Sequence, residues 1–189
     1  MSPITHFLAG WAVANSAQLN RRERLLVTLA GVAPDLDGLG LVAEILTRHS
    51  AHPLNWWSDY HHVFGHNLLF CLLVAAVAFA AATRRALTAG LALVSVHLHL
   101  VCDLVGARGP DGYIWTIPYL WPLSADGVWS WSGQWALNAW PNMVITALLI
   151  AFALWVGWRR GCTPLEMISA RADQAVVNVL RQRLGPPGS

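Results

Sequence analysis

Apolar residues along this chain fall in long runs broken by short polar or proline-containing stretches, with no sustained alternation of the kind a half-buried strand shows. The runs predict helices over residues 4–19, 25–33, 67–83, 86–105 and 141–158. Pro34 is expected to end the second, because proline cannot continue the hydrogen-bond ladder and restricts the residue before it. That second segment is too short to span a bilayer, which takes about 20 residues. The fourth is long enough, and the third and fifth reach across a thin or locally deformed bilayer.

Beyond these runs, Thr163-Pro164-Leu165-Glu166 has the form of a capping box with proline at the first helical position. It predicts one more helix whose apolar stripe is Leu165, Ile168, Ala172, Ala175, Val176, Val179 and Leu180, ending near Gly185 and lying on the membrane surface or on a partner. The pattern as a whole predicts an all-α protein. Residues 1–160 form a membrane-embedded helical bundle, and residues 161–189 a C-terminal amphipathic helix and tail.

Composition supports a membrane setting. Hydrophobic residues make up 56% of the 189 and charged residues only 12%, against about a quarter charged in a typical soluble domain. A formal net charge of +2, with arginines in short clusters rather than along a stripe, argues against nucleic acid as a partner. The amino terminus lacks the positive region of a secretory signal, so the mature chain is expected to start near Met1. Three cysteines without paired spacing indicate neither a disulfide framework nor a zinc knuckle; Cys102, beside Asp103, reads as a buried apolar thiol.

The arginines set an orientation. Arg21, Arg22 and Arg24 join the first two segments, Arg84 and Arg85 the third and fourth, and Arg159 and Arg160 follow the fifth. By the positive-inside rule all three clusters belong on the cytoplasmic side of a bacterial-type inner membrane. The ionisable residues at the ends of the apolar segments lie away from them: His6, Pro34-Asp35-Leu36-Asp37, His61-His62-Val63-Phe64-Gly65-His66, and His99-Leu100-Val101-Cys102-Asp103. An ionisable group at membrane depth costs several kcal/mol unless it is paired or coordinated. A shared divalent metal toward the extracytoplasmic face accounts for the set.

Within it, His99 and Asp103 share a helix face at i and i+4. Asp35 and Asp37 follow a proline in a glycine-flanked turn that can aim two carboxylates at metal. The histidine cluster has two readings: a helix over residues 60–67 puts His62 and His66 on one face, whereas one starting near Gly65 lets His61 fold back toward His66. His97 points elsewhere and reads as a hydrogen-bonded core histidine, and His49 and His52 as exposed loop residues. Mixed His and Asp ligands suit zinc, or manganese, better than magnesium or calcium.

Between residues 106 and 140 stand six of the eleven tryptophans, with several glycines and prolines and little helical period. Trp115, Trp121, Trp129, Trp131, Trp135 and Trp140 are expected to form an interfacial belt over the pocket, or a lid or lipid-binding rim for it.

On Thr5-His6, Pro34-Asp35-Leu36-Asp37, His61 to Asn67, His99 to Asp103 and Trp121-Pro122-Leu123-Ser124, the chain resembles the membrane-bound, metal-dependent hydrolases of the YdjM type. That family is similar in motif logic to helical zinc phospholipases C and single-strand-specific zinc nucleases. The departures are His62 in place of an arginine, Gly65 of a threonine and Asn67 of a serine. The resemblance implies His6, Asp35, Asp37, His61, His66, His99 and Asp103 as metal ligands, and hydrolysis of a phosphoester by metal-activated water. Asp35 or Asp37 is expected to act catalytically as general base, and a lipid or other amphipathic small molecule is expected as substrate. The rival expectation is a non-enzymatic membrane protein with a structural or transported metal.

Overall fold

The computed structural model describes residues 1–109 and 111–187 and is mostly helical. Helices α1 (Pro3–Ala14), α2 (Arg21–Ala30), α5 (Leu68–Ala81), α6 (Arg85–Gly106) and α7 (Trp140–Arg160) form the bundle. A 3-10 turn (Ala33–Leu39) and the short helices α3 (Gly40–Thr47) and α4 (Trp56–Tyr60) lie between α2 and α5. The segment between α6 and α7 carries one two-residue antiparallel ladder, β1 (Ile117–Pro118) with β2 (Val128–Trp129). A second 3-10 turn (Pro164–Met167) precedes α8 (Ala170–Leu184).

Among the described residues, two helices are long and apolar enough to cross a membrane, α6 with 22 residues and α7 with 21, each with mean hydropathy 1.7. At ~1.5 Å per residue each is about as long as the hydrocarbon core is thick. A third span arises if α2 and the following 3-10 turn with α3, bent by 52°, count as one broken or re-entrant segment. At 14 residues α5 is shorter than a span, while α7 runs to Arg160, beyond the stretch predicted from hydropathy.

Helix α2 ends at Ala30, ahead of Pro34 as expected, but Pro34 does not end helical structure altogether. It sits in the first turn of the 3-10 segment, where its missing N–H costs nothing, and so it redirects the chain instead of ending helical structure. The C-terminal element also differs. Glu166 reaches across to Arg24 (Nε to Oε1 2.7 Å), and the Thr163 backbone N–H and hydroxyl both donate to Asp173. With its capping-box partner drawn away, the 3-10 turn stops at Met167 and Ser169 caps α8. The buried face of α8 centres on Asp173 and Val177, leaving Ile168 and Val179 exposed.

Helix α6 is the hub, packed on α1, α2 and α5, while α7 packs on α1 and α8. Small residues let three backbones meet. A Cβ on Gly31 would lie 2.8 Å from Ser95 Oγ, 3.0 Å from Gly10 Cα and 3.1 Å from the His6 carbonyl, so α1, the end of α2 and α6 cross at a distance only glycine permits. Gly10 lies one turn after His6 and Ser95 one turn before His99. This crossing therefore stacks the His6 and His99 rings, with centroids 3.7 Å apart.

At the opposite end the arginine clusters converge. Arg84 donates to the Gln18 carbonyl, Arg160 to the Asn15 carbonyl, and Arg21 and Arg24 to Glu166. Buried Glu23, which closes a capping box with Asn20, also accepts from the Arg84 backbone N–H and so ties the α1–α2 and α5–α6 turns together.

Candidate metal centre

Four stretches remote in sequence meet at the end of the bundle away from the arginines: the start of α1, the 3-10 turn after α2, the loop before α5, and the last turns of α6. Alternating helix direction brings these ends together. For His66 and His99, the hydrogen bond on Nδ1 fixes which nitrogen faces the centre.

His99 Nδ1 donates to the Gly31 carbonyl at 2.9 Å and His66 Nδ1 to Asp37 Oδ2 at 3.0 Å, so each ring presents Nε2 inward. Those two Nε2 atoms stand 3.1 Å apart, and both face Asp103 Oδ2, at 3.1 Å from His99 and 3.4 Å from His66. His6 Nε2 is 3.0 Å from Asp103 Oδ1, which also accepts from the Met1 amino group. Three lone-pair-bearing atoms this close repel unless a cation, a proton or a metal ion, lies among them. His66 reflects this demand. Burial opposes its charge, yet its hydrogen bonds to Asp103 and Asp37 prevail and push its pKa up to about 9.

Among the described residues, two sets of side chains have the geometry to hold an ion, with ligand atoms within 4.8 Å of one another: His6, Asp35, His99 and Asp103, and His62, His66 and Asp103. Asp103 belongs to both. Asp35 Oδ2 and the Nδ1 atoms of His6 and His62 are buried without a protein partner, which leaves donor capacity for an ion or its bound water. Nitrogen and carboxylate donors of this mixture, held by carbonyl and carboxylate hydrogen bonds behind them, fit a divalent transition-type metal.

Among the residues expected as ligands, the structure brings His6, Asp35, His66, His99 and Asp103 into these sets. His61 and Asp37 lie outside both. Asp37 accepts from His61 Nδ1 at 2.9 Å, the Gly65 N–H at 3.1 Å and His66 Nδ1, so both its oxygens are engaged in orienting the histidine loop. His62 is the added member. It occupies a left-handed backbone conformation (φ 66°), uncommon and costly for a residue with a Cβ, and this turn swings its ring toward Asp103.

Local sequence explains that loop. Helix α4 stops at Tyr60, and Asn67 starts α5 by accepting from the Phe70 N–H while its amide donates to the Val63 and Phe64 carbonyls. Between them, a Cβ at Gly65 would lie 2.3 Å from the Pro34 carbonyl oxygen. Glycine at that position is what lets the histidine loop sit directly on the aspartate turn.

The tryptophan-rich segment closes one side. Trp115 packs edge-on against His61 and His62, with centroids 5.4 Å and 4.5 Å away. Fully buried Gln134 holds it there, accepting from the Trp115 N–H and donating to the Asp103 and Leu104 carbonyls. No periodic signal marks Gln134; its one visible trait is an amide in an aromatic-rich stretch. His97 hydrogen-bonds the Leu93 carbonyl and the Tyr119 hydroxyl, and His49 and His52 are exposed.

Among the residues able to hold an ion, Asp35 has a side chain 21% exposed, against 0–6% for His6, His62, His66, His99 and Asp103. Access to the centre is therefore on the side of the aspartate turn. Neither the curated proteins nor the solved structures hold a match to the chain. A family model, described as YdjM inner membrane protein, matches residues 1–178, spanning both the bundle and the histidine–aspartate cluster. The chain belongs to the YdjM inner membrane protein family.

Proposed function

We propose that this protein is a membrane-embedded, metal-dependent hydrolase acting on a phosphoester of an amphipathic substrate. The observation that carries the reading is the convergence of His66 Nε2, His99 Nε2 and Asp103 Oδ2 within 3.1–3.4 Å, each ring locked by a hydrogen bond on its other nitrogen. Six side chains, His6, Asp35, His62, His66, His99 and Asp103, exceed the roughly four ligands of one tetrahedral zinc, so two ions sharing Asp103 suit them. Zinc is the favoured metal, with manganese the other ion that suits such ligands. Bound there, divalent ions supply Lewis acidity toward a phosphoryl oxygen and make water nucleophilic near neutral pH.

The chain's own groups divide the remaining work. Asp37 keeps His66 in the tautomer that offers Nε2 to the centre, and the Gly31 carbonyl does the same for His99. Asp35 has a buried oxygen without a protein partner on a side chain that is partly exposed, which suits it to accept the proton of an attacking water. Trp115 covers His61 and His62 on one side of the centre. With the arginine clusters on the cytoplasmic side by the positive-inside rule, the centre faces the extracytoplasmic side.

The test is hydrolysis of a set of phosphodiesters by detergent-purified protein, as isolated, after chelation, and after restoring zinc or manganese. Activity that disappears with the metal, returns with it, and falls at least ~100-fold in Asp35→Asn, the usual scale for losing a general base, is expected. Equal rates in the chelated and restored protein, or in Asp35→Asn, would leave a structural or transported metal as the reading.

A further inference from the structure

The turn that places Asp35 also forms the wall of an apolar groove. Within the 3-10 segment Leu36 and Leu39 are three apart and so lie on one edge, where both are exposed. They continue into Val42, Ala43 and Leu46 of α3, and the facing wall is Trp56 and Tyr60 of α4 with Phe64 of the histidine loop. The groove has a volume of about 840 Å³, and Asp37 at one end is the carboxylate that orients His61 and His66. Its two walls are held together because α3 starts at Gly40, where a Cβ would lie 2.7 Å from the Trp56 backbone.

Two further observations say what such a groove holds. Its α3 wall belongs to the bent segment that, with α2, is apolar enough by length and composition to enter a membrane, an arrangement that would set the groove among lipid tails. Its lining includes Leu36, next in the chain to Asp35, the most exposed of the residues able to hold an ion, and Asp37, which orients His66 of the centre. Among the described residues, no charged side chain other than Asp37 lines it.

We propose that this groove binds one aliphatic chain of a lipid whose phosphate headgroup lies at the histidine–aspartate centre; the headgroup's fate, though not the occupancy, rests on the hydrolase reading above. From Asp37 to Leu46 the groove wall extends about 15 Å at the helical rises of these segments, matching roughly a dozen methylenes. A chain drawn from the bilayer leaves surroundings as apolar as the groove, so van der Waals contact with the groove walls and the headgroup's own interactions, not transfer from water, favour its binding.

The test uses the full chain in vesicles of phosphatidylethanolamine and phosphatidylglycerol doped with a phosphatidylglycerol carrying a photoactivatable diazirine in one acyl chain. Labelled peptides are mapped by mass spectrometry. Labelling is expected to concentrate on residues 36–46 and 56–64 and to fall about tenfold in Ala43→Trp, which fills the groove, with bound metal unchanged. Leu46→Trp, at a position 79% exposed and so free of folding consequences, is expected to lower it as well. Labelling spread evenly over the exposed faces of α3, α5 and α7, or unaffected by both variants, overturns the proposal even if phosphodiesters are hydrolysed. Loss of labelling because a second copy of the chain covers Leu46, seen as Leu46→Cys disulfide dimers, overturns it too. Concentrated, variant-sensitive labelling without metal-dependent hydrolysis upholds the groove and removes the hydrolase reading.

Discussion

Replacing Asp37 by asparagine separates an orienting carboxylate from a metal ligand. The wild-type side chain accepts three hydrogen bonds, from His61 Nδ1 at 2.9 Å, His66 Nδ1 at 3.0 Å and the Gly65 N–H at 3.1 Å. Asparagine is nearly isosteric but has a single acceptor oxygen and a donor NH2, so it satisfies at most one histidine in its present tautomer. If the oxygen stays on His61, His66 faces the NH2 and must move its proton to Nε2, the atom that points at His99 and Asp103. Loss of such an outer partner costs about 10–100-fold in metal affinity, or ~1.4–2.7 kcal/mol. The assay is competition for zinc against a chelator of known affinity, in detergent, with total metal counted separately. Asp37→Asn is expected to keep the wild-type metal count at saturating zinc while its affinity falls by that factor. A lost ion would show that Asp37 binds metal directly, and unchanged affinity would show that its hydrogen bonds do not orient His66.

A methyl group at Gly65 meets the Pro34 carbonyl oxygen at 2.3 Å, so Gly65→Ala is expected to destabilise the protein by about 1–3 kcal/mol, the usual cost of overpacking. Thermal unfolding with and without zinc checks this, and part of the loss should be recovered by metal because the clash separates the two halves of the centre. For orientation, in a background lacking Cys71, Cys102 and Cys162, Arg85→Cys is expected to react with impermeant thiol reagents only from the cytoplasmic side and Ser124→Cys only from the other. The reverse pattern would place the centre on the cytoplasmic face.

Periodicity carries far in the bundle and little in its connections. His99 and Asp103 stand on one face of α6 because four residues make about one turn, and that pairing is legible from spacing alone. The apolar runs likewise mark α5, α6 and α7, since a helix among lipid tails is apolar all round. What hydropathy does not reveal are close approaches and reversals. The Gly10–Gly31–Ser95 crossing that stacks His6 on His99 consists of residues with almost no side chain, and Pro34 reads as a stop where it in fact opens a 3-10 turn. The choice between His61 and His62 depends on a left-handed residue held by tertiary contacts, and spacing rules assume helix on one side or the other. Likewise, Glu166 has the spacing of a capping box, but a buried pairing with Arg24, 142 residues away, draws it off.

The central claim is that the histidine–aspartate cluster is a metal centre organised around Asp103. Elemental analysis of the detergent-purified chain beside Asp103→Ala, each dialysed from excess zinc, tests it most directly, because Asp103 belongs to both sets of side chains able to hold an ion. Two divalent ions per wild-type chain, and loss of both or nearly both in a variant that still inserts in the membrane, is the predicted result. A metal-free wild-type chain, or equal metal in the two proteins, would contradict it.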